Sequence, residues 1–182
     1  MSKIFITSDW HFCHDKSFIY EPRGFSSVQE MNETIINNHN KIVTQNDIVY
    51  CLGDCMLNND KEGCNCIRRL NGQIFIIGGN HCSNNRIQLY DTIRYNISYI
   101  GLAYILKYQG YSFYLSHYPT ITSNMDMDKP LKKRVINLCG HSHTSNPFEN
   151  LDKGLIFHTE LDTNNCYPWL LDDIIKKIKE KV

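Results

Sequence analysis

Five short polar motifs, each carrying side chains able to bind a metal, punctuate this chain in order: Asp9-Trp10-His11, Gly53-Asp54, Gly79-Asn80-His81, Ser116-His117 and Gly140-His141-Ser142-His143. Three of them follow a short apolar run. Ile4–Thr7, residues 48–52 and Gln73–Ile77 read as buried strands that end at Asp9 and His11, at Asp54, and at Asn80 and His81. Ligands delivered at several strand ends point to an α/β sheet, because the loops leaving the strands converge on one rim of it. Taken singly, each residue has an ordinary role: Asp9 or Asp54 as a turn former or helix cap, Asn80 as a turn residue, any one His as a hydrogen-bonded core residue. Taken together and in order, they can build a two-metal hydrolytic site.

The segments between the motifs complete the pattern. Val28, Met31, Ile35, Ile42 and Val43 recur at near-helical spacing after Ser26 or Ser27, a candidate N-cap with Glu30 placed for a capping box. Residues 102–108 and Tyr111–Ser116, separated by Gln109-Gly110, read as a hairpin whose second strand delivers His117. Val135–Cys139 forms a strand ending at the Gly140 motif, residues 155–161 form one more, and Leu171–Lys181 forms a final amphipathic helix. This order predicts two packed sheets with helices outside, in a single domain over residues 1–182.

Composition removes several function classes. No apolar run approaches the roughly 20 residues that span a bilayer, so no membrane association is expected. The N-terminus enters a ligand-bearing strand at once, with no leader before it, and the eight cysteines contain no C-x-x-C pair; a cytoplasmic protein with reduced thiols is expected. Nineteen basic residues balance nineteen acidic ones, leaving no global positive field to draw the chain onto nucleic acid. A local basic cluster, Lys129, Lys132, Lys133 and Arg134, is either a solvated surface or a device that steers an anionic substrate.

The five motifs resemble those of the calcineurin-like metallophosphoesterases, whose pattern runs D-x-H, G-D, G-N-H, H and G-H-x-H across a whole domain. The resemblance covers essentially the whole chain. It implies a four-layer α/β/β/α sandwich of two mixed sheets flanked by helices, with the metals at the sheet edge. It also implies that Asp9, His11, Asp54 and His143 hold one divalent ion and Asp54, Asn80, His117 and His141 the other, with Asp54 bridging. Carboxylate, imidazole and amide oxygen suit Mn²⁺ foremost, with Fe, Zn²⁺ or Ni²⁺ as alternatives. Two ions roughly 3.5–4 Å apart can pin a water, supply hydroxide near neutral pH and stabilise both oxygens of an in-line displacement at phosphorus. His81, left without a metal beside Asn80, is assigned to protonate the leaving alkoxide and, with Asn80, to contact a phosphoryl oxygen.

The likeness is closer to small bacterial and phage-encoded members, which carry an extra His, an Arg-Pro-Phe element, and a terminal Asp and Tyr-Pro. Here the corresponding residues are His14, Arg23 with Phe25, Leu161-Asp162 and Tyr167-Pro168. His14 and Arg23 are therefore expected to line the pocket and contact substrate phosphate. Two departures stand out: the element reads Glu21-Pro22-Arg23-Gly24-Phe25, and Cys82 follows His81 where the family has an acidic residue, leaving open which group orients His81. Cys13, Cys55, Cys82 and Cys139 lie beside these motifs, either as compact packing residues or as thiols whose oxidation would inactivate the site. The expected function is hydrolysis of small phosphodiesters, nucleotides or other phosphoesters. The alternatives are a nuclease acting on single-stranded ends, with Tyr104, Tyr108, Tyr111 and Tyr114 as stacking groups, and a non-catalytic interaction module of the same fold. The Asn, Ile and Lys richness resembles an AT-rich genome, of a bacterium or its phage.

Overall fold

Alternating burial along short strands generates two separate cores. The computed structural model describes residues 2–122 and 128–182. In chain order, β1 (Ile4–Thr7) is followed by α1 (Ser17–Tyr20), α2 (Val28–Ile42), β2 (Ile48–Cys51), α3 (Asp60–Arg68), β3 (Gln73–Ile77), α4 (Asn84–Ile93) and β4 (Ile97–Gly101). Then come β5 (Ala103–Tyr108), β6 (Tyr111–Ser116), β7 (Val135–Cys139), β8 (Ile156–His158), β9 (Trp169–Leu170) and α5 (Leu171–Lys181). One sheet has the order β4-β3-β2-β1-β9, parallel except for β9; the other has the order β5-β6-β7-β8, parallel except for β5. The fold is thus two mixed sheets flanked by helices, as expected.

The first sheet is buried on both faces. Phe5, Val49, Cys51, Ile74 and Ile76 point to one side, where Met31, Ile35 and Ile36 of α2, Cys66 and Ile67 of α3, and Tyr90 and Ile93 of α4 cover them. Ile6, Tyr50, Leu52 and Ile77 point to the other and meet Phe113, Leu115, Leu138 and Phe157 of the second sheet. Leu171, Ile174, Ile175 and Ile178 of α5 join this second core, at the spacing of one helical face. Each such side chain contributes about 1.5–3 kcal/mol by leaving water. Helix α2 starts where its capping residues place it: Ser27 accepts from the Glu30 amide at 3.2 Å, while the Glu30 carboxylate takes the Ser26 amide at 2.9 Å.

The segment read as one strand over 155–161 divides its pairing. Its ladder with β7 ends at Cys139↔His158; Glu160 then bridges to Ser8, and Leu161 opens a short 3₁₀ turn, Leu161–Thr163. Gly140 leaves the second sheet to carry the H-x-H motif, so the chain finds its next partner beyond β1. The two sheets are stitched together at that point. The basic cluster lies elsewhere: Lys132 sits over Tyr111 at 5.4 Å, at the far end of β6, roughly 20 Å of strand from His117. Lys132 packs against the second sheet there. Tyr104 stacks on Tyr50 and Tyr108 bonds Asp172, so both serve packing between elements. Among the described residues no helix is long and apolar enough to cross a membrane.

One buried group makes the fold acid-sensitive away from the motifs. His39 of α2 is buried, and its Nε2 lies 2.9 Å from the Asn71 carbonyl, to which it donates. Burial pulls it down to about 4 from an ordinary 6.5, with the Asn71 bond opposing. Below 6.5 the unfolded ring binds a proton that the folded ring refuses, so stability falls as pH drops from 6.5 to about 4 and levels off beneath. The loss is at most about 3 kcal/mol. His39→Gln, which keeps an N–H donor, is expected to remove that part of the pH dependence in urea unfolding; an unaltered slope would contradict it.

Candidate metal centre

The first two motifs run side by side because their loops prolong the β1–β2 ladder. Leu52 donates to the Thr7 carbonyl at 2.8 Å, Asp9 to Gly53 at 3.1 Å, His11 to Asp54 at 3.0 Å and Phe12 to Cys55 at 3.0 Å. Trp10 and Phe12 anchor in the first core, which turns the intervening Asp9 and His11 into the cleft. Asp9, His11, Asp54, His141 and His143 all adopt positive φ, between 49° and 79°. Such conformations are uncommon for residues other than glycine and cluster where side chains are aimed for function. Two glycines make the approach feasible: a Cβ at Gly79 would fall on Asp54 Oδ1, and one at Gly140 on Asp9 Oδ2. The last two motifs come from the second sheet, with Gly140 donating to the His117 carbonyl and the His141 amide donating to Asp9 Oδ2 at 3.0 Å.

Two adjoining donor sets result. In the first, Asp9 Oδ1 lies 3.6 Å from His11 Nε2 and 3.8 Å from His143 Nε2, and the two imidazole nitrogens are 3.1 Å apart. In the second, Asp54 Oδ2 lies 3.4 Å from His117 Nε2, while Asn80 Oδ1 lies 2.8 Å from that nitrogen and 2.9 Å from His141 Nδ1. Asp54 Oδ2 is also 4.0 Å from His11 Nε2, between the sets, and Asp9 closes with Asp54 and His117 as well as with His11 and His143. All seven expected ligands therefore converge. The residues fit divalent ions on two counts: Asp9 Oδ1 is buried without a hydrogen-bond partner, and the donors are the oxygens and imidazoles that such ions take.

The electrostatics agree. Burial alone would raise the Asp9 carboxyl, but the His11 contact and the charges of His117 and His143 outweigh it and hold the group well below the usual carboxylate range. Burial also opposes ionisation of Asp54, and His117 reverses that. Both carboxylates are anionic at neutral pH.

Other side chains fix the direction of the imidazoles. His117 Nδ1 donates to the Leu52 carbonyl at 2.8 Å, which leaves Nε2 for the cleft. His143 Nδ1 lies 3.2 Å from Asp162 Oδ2, and His11 Nδ1 lies 3.0 Å from His14 Nδ1. Burial and the neighbouring His11 and His81 pull His14 down to about 4, so it is neutral. It lines a cavity of about 270 Å³ with His11, Asp54, Asn80 and His81.

Arg23 does not face that cavity. Its side chain is 1% exposed; it grips Asp162 through Nε at 3.0 Å and through Nη2 at 2.8 Å, and donates to the carbonyls of Asp9 at 2.8 Å and Trp10 at 3.4 Å. The guanidinium buttresses the first motif and, through Asp162, His143, and it lines a neighbouring cavity with His143 and Asp162 instead of the one beside His81. His81 is 38% exposed at the mouth of the cleft, with its amide on Asp54 Oδ1 at 3.0 Å and its Nε2 3.9 Å from Asp54 Oδ2. Cys82 turns inward, to the Gly79 amide at 3.3 Å and Tyr90 at 3.5 Å. Cys55 and Cys139 are fully buried and burial pushes both thiols well up, which favours packing over redox reactivity.

Glu160 was not anticipated. It is fully buried, and its Oε1 accepts the Ser142 amide at 3.0 Å and faces His158 Nδ1 at 3.0 Å, bracing the H-x-H loop from behind. The one signal for it is an acidic residue inside the apolar run over 155–161.

Comparison with known proteins agrees with this architecture. Residues 2–181 match the family model described as calcineurin-like phosphoesterase. An uncharacterized protein of Methanocaldococcus jannaschii is 33% identical over 99% of this chain and 93% of its own length. A solved Aquifex aeolicus protein of unknown function shares the fold at a TM-score of 0.70, with 20% identity over 97% of this chain and all of that one. A solved archaeal phosphodiesterase is a looser match, at a TM-score of 0.47 and 20% identity over 86% of this chain and 82% of that one. The chain belongs to the calcineurin-like phosphoesterase family.

Proposed function

We propose that this chain hydrolyses small phosphodiesters or nucleotides with two divalent ions, Mn²⁺ foremost. The observation that carries this reading is the pair of adjoining donor sets with Asp54 between them and His81 at their mouth. Asp9, His11, Asp54 and His143 would hold one ion, and Asp54, Asn80, His117 and His141 the other. Bound there, the ions supply charge neutralisation at phosphorus and an activated water. His81 is exposed enough to meet substrate, with its Nε2 3.9 Å from Asp54 Oδ2, and is the group assigned to protonate the leaving alkoxide. His14, neutral and on the cavity wall, holds His11 and contacts the ester beside His81. Eight free thiols fit a reducing cytoplasm.

Chelator-stripped protein is expected to hydrolyse bis-p-nitrophenyl phosphate once Mn²⁺ is restored. Asp54→Asn and His81→Ala should each lower kcat/KM by about 100-fold or more. Turnover that persists without metal, or in Asp54→Asn, would overturn the reading. Asp162→Asn should weaken Mn²⁺ binding about 10- to 100-fold, since His143 loses the carboxylate that orients it. Direct metal titration checks this, and unchanged affinity would contradict it. The same variant should also be less stable, because Arg23 loses its buried anion.

A further inference from the structure

Helix α1 presents an apolar side chain at the mouth of the cleft. Phe18 is 68% exposed, and it lines the same cavity as His11, His14, Asn80 and His81. Single exposed apolar residues are common on proteins and carry no meaning by themselves. Placement sets this one apart from Tyr95, Leu102 and Ile121, which do not line the cavity, while Tyr118, 51% exposed, stands edge-on to His141 at 4.8 Å without lining it. Among the described residues Ile19 beside it is the only other hydrocarbon side chain on the cavity wall, so there α1 supplies the apolar side of a cleft otherwise built of imidazoles, a carboxylate and an amide.

The turn that carries the ring is held in place. Ile19 is buried in the first core, and the turn is closed by Ile19 to Lys16 at 2.9 Å, Glu21 to Ser17 at 2.9 Å and Phe25 to Tyr20 at 3.0 Å. Phe18 meets the His14 ring edge-on at 5.7 Å and 86°, and His14 in turn lies 6.0 Å from the His81 ring. The shelf therefore stands on the side of the cleft where His81 would protonate the departing alcohol. An exposed aromatic face offers little to a charged or hydroxylated group and much to a flat ring, which gains by stacking and by leaving water.

Resting on the hydrolase reading above, we propose that Phe18, seated by Ile19, is the specificity shelf for the leaving alcohol, and that the preferred esters are those whose leaving group carries a flat aromatic ring, as a nucleoside does. The phosphoryl group occupies the small polar cavity, and the ring lies on α1 outside it.

Calorimetric titration of the Mn²⁺-loaded protein tests this with two pairs of ligands. AMP and phenyl phosphate carry a ring; ribose 5-phosphate and methyl phosphate are their ringless counterparts. Each ring-bearing compound is expected to bind about 10-fold more tightly than its counterpart. Phe18→Ala should abolish that ratio, and Phe18→Trp should preserve it. Equal affinities within each pair, or a ratio that survives Phe18→Ala, would overturn the proposal. A larger ratio for the AMP pair assigns the shelf to a nucleobase, and equal ratios assign it to any flat ring; both support it. Metal-dependent turnover of bis-p-nitrophenyl phosphate with no ring preference would remove the shelf alone. A ring preference in a protein that hydrolyses no ester with any metal would remove the hydrolase reading and leave the shelf as a binding site.

Discussion

Two buried carboxylates, Asp9 and Asp54, are brought to one point by parallel strands, and much of the rest of the structure serves to make that tolerable. Like charges in a protein interior repel and lose their hydration, and either would ordinarily pick up a proton. Here five imidazoles and an amide crowd around them, and both stay ionised. The arrangement is costly in backbone terms as well, since Asp9, His11, Asp54, His141 and His143 all occupy the left-handed region. A cluster with this much negative charge, backbone strain and an orphaned oxygen on Asp9 is what a cation site looks like before its cation is counted.

Support for the cluster comes from both ends of the chain. Arg23, just after the first motif, reaches Asp162, which faces His143 of the last motif. Glu160 braces the loop between His141 and His143, and its own residue bridges to Ser8 beside Asp9. The segment over 156–162 therefore joins the two sheets where the ligands meet, so the second sheet cannot drift from the first without dismantling the site. Site assembly requires the two sheets to be docked, because each donor set draws residues from both.

Much of this was legible in the sequence, for a local reason. Ligand motifs and the strands that deliver them are contiguous, so an apolar run followed by Gly-Asp or Gly-Asn-His announces both the element and its purpose. The connectors were harder. Helix α3 turns Cys64, Cys66 and Ile67 inward, a stripe made partly of cysteine that blurs the usual apolar signal. Strand β4 is parted from β5 by Leu102 alone, so the two merge into one apolar stretch. The buttresses were the least accessible. Arg23 and Asp162 are 139 residues apart, and nothing in the local pattern distinguishes an arginine that grips a distant carboxylate from one that grips a phosphate. The strand that the apolar pattern extended to 161 ends at His158, because β7 turns away at Gly140 and Glu160 bridges to Ser8 instead.

Electron paramagnetic resonance of the chelator-stripped protein titrated with Mn²⁺ tests the central claim most directly. Two ions per chain are expected, with the broadened spectrum of a magnetically coupled pair, because the proposed dinuclear centre has Asp54 bridging the two donor sets. A single ion per chain, or two ions with the spectrum of isolated Mn²⁺, would contradict a shared dinuclear centre.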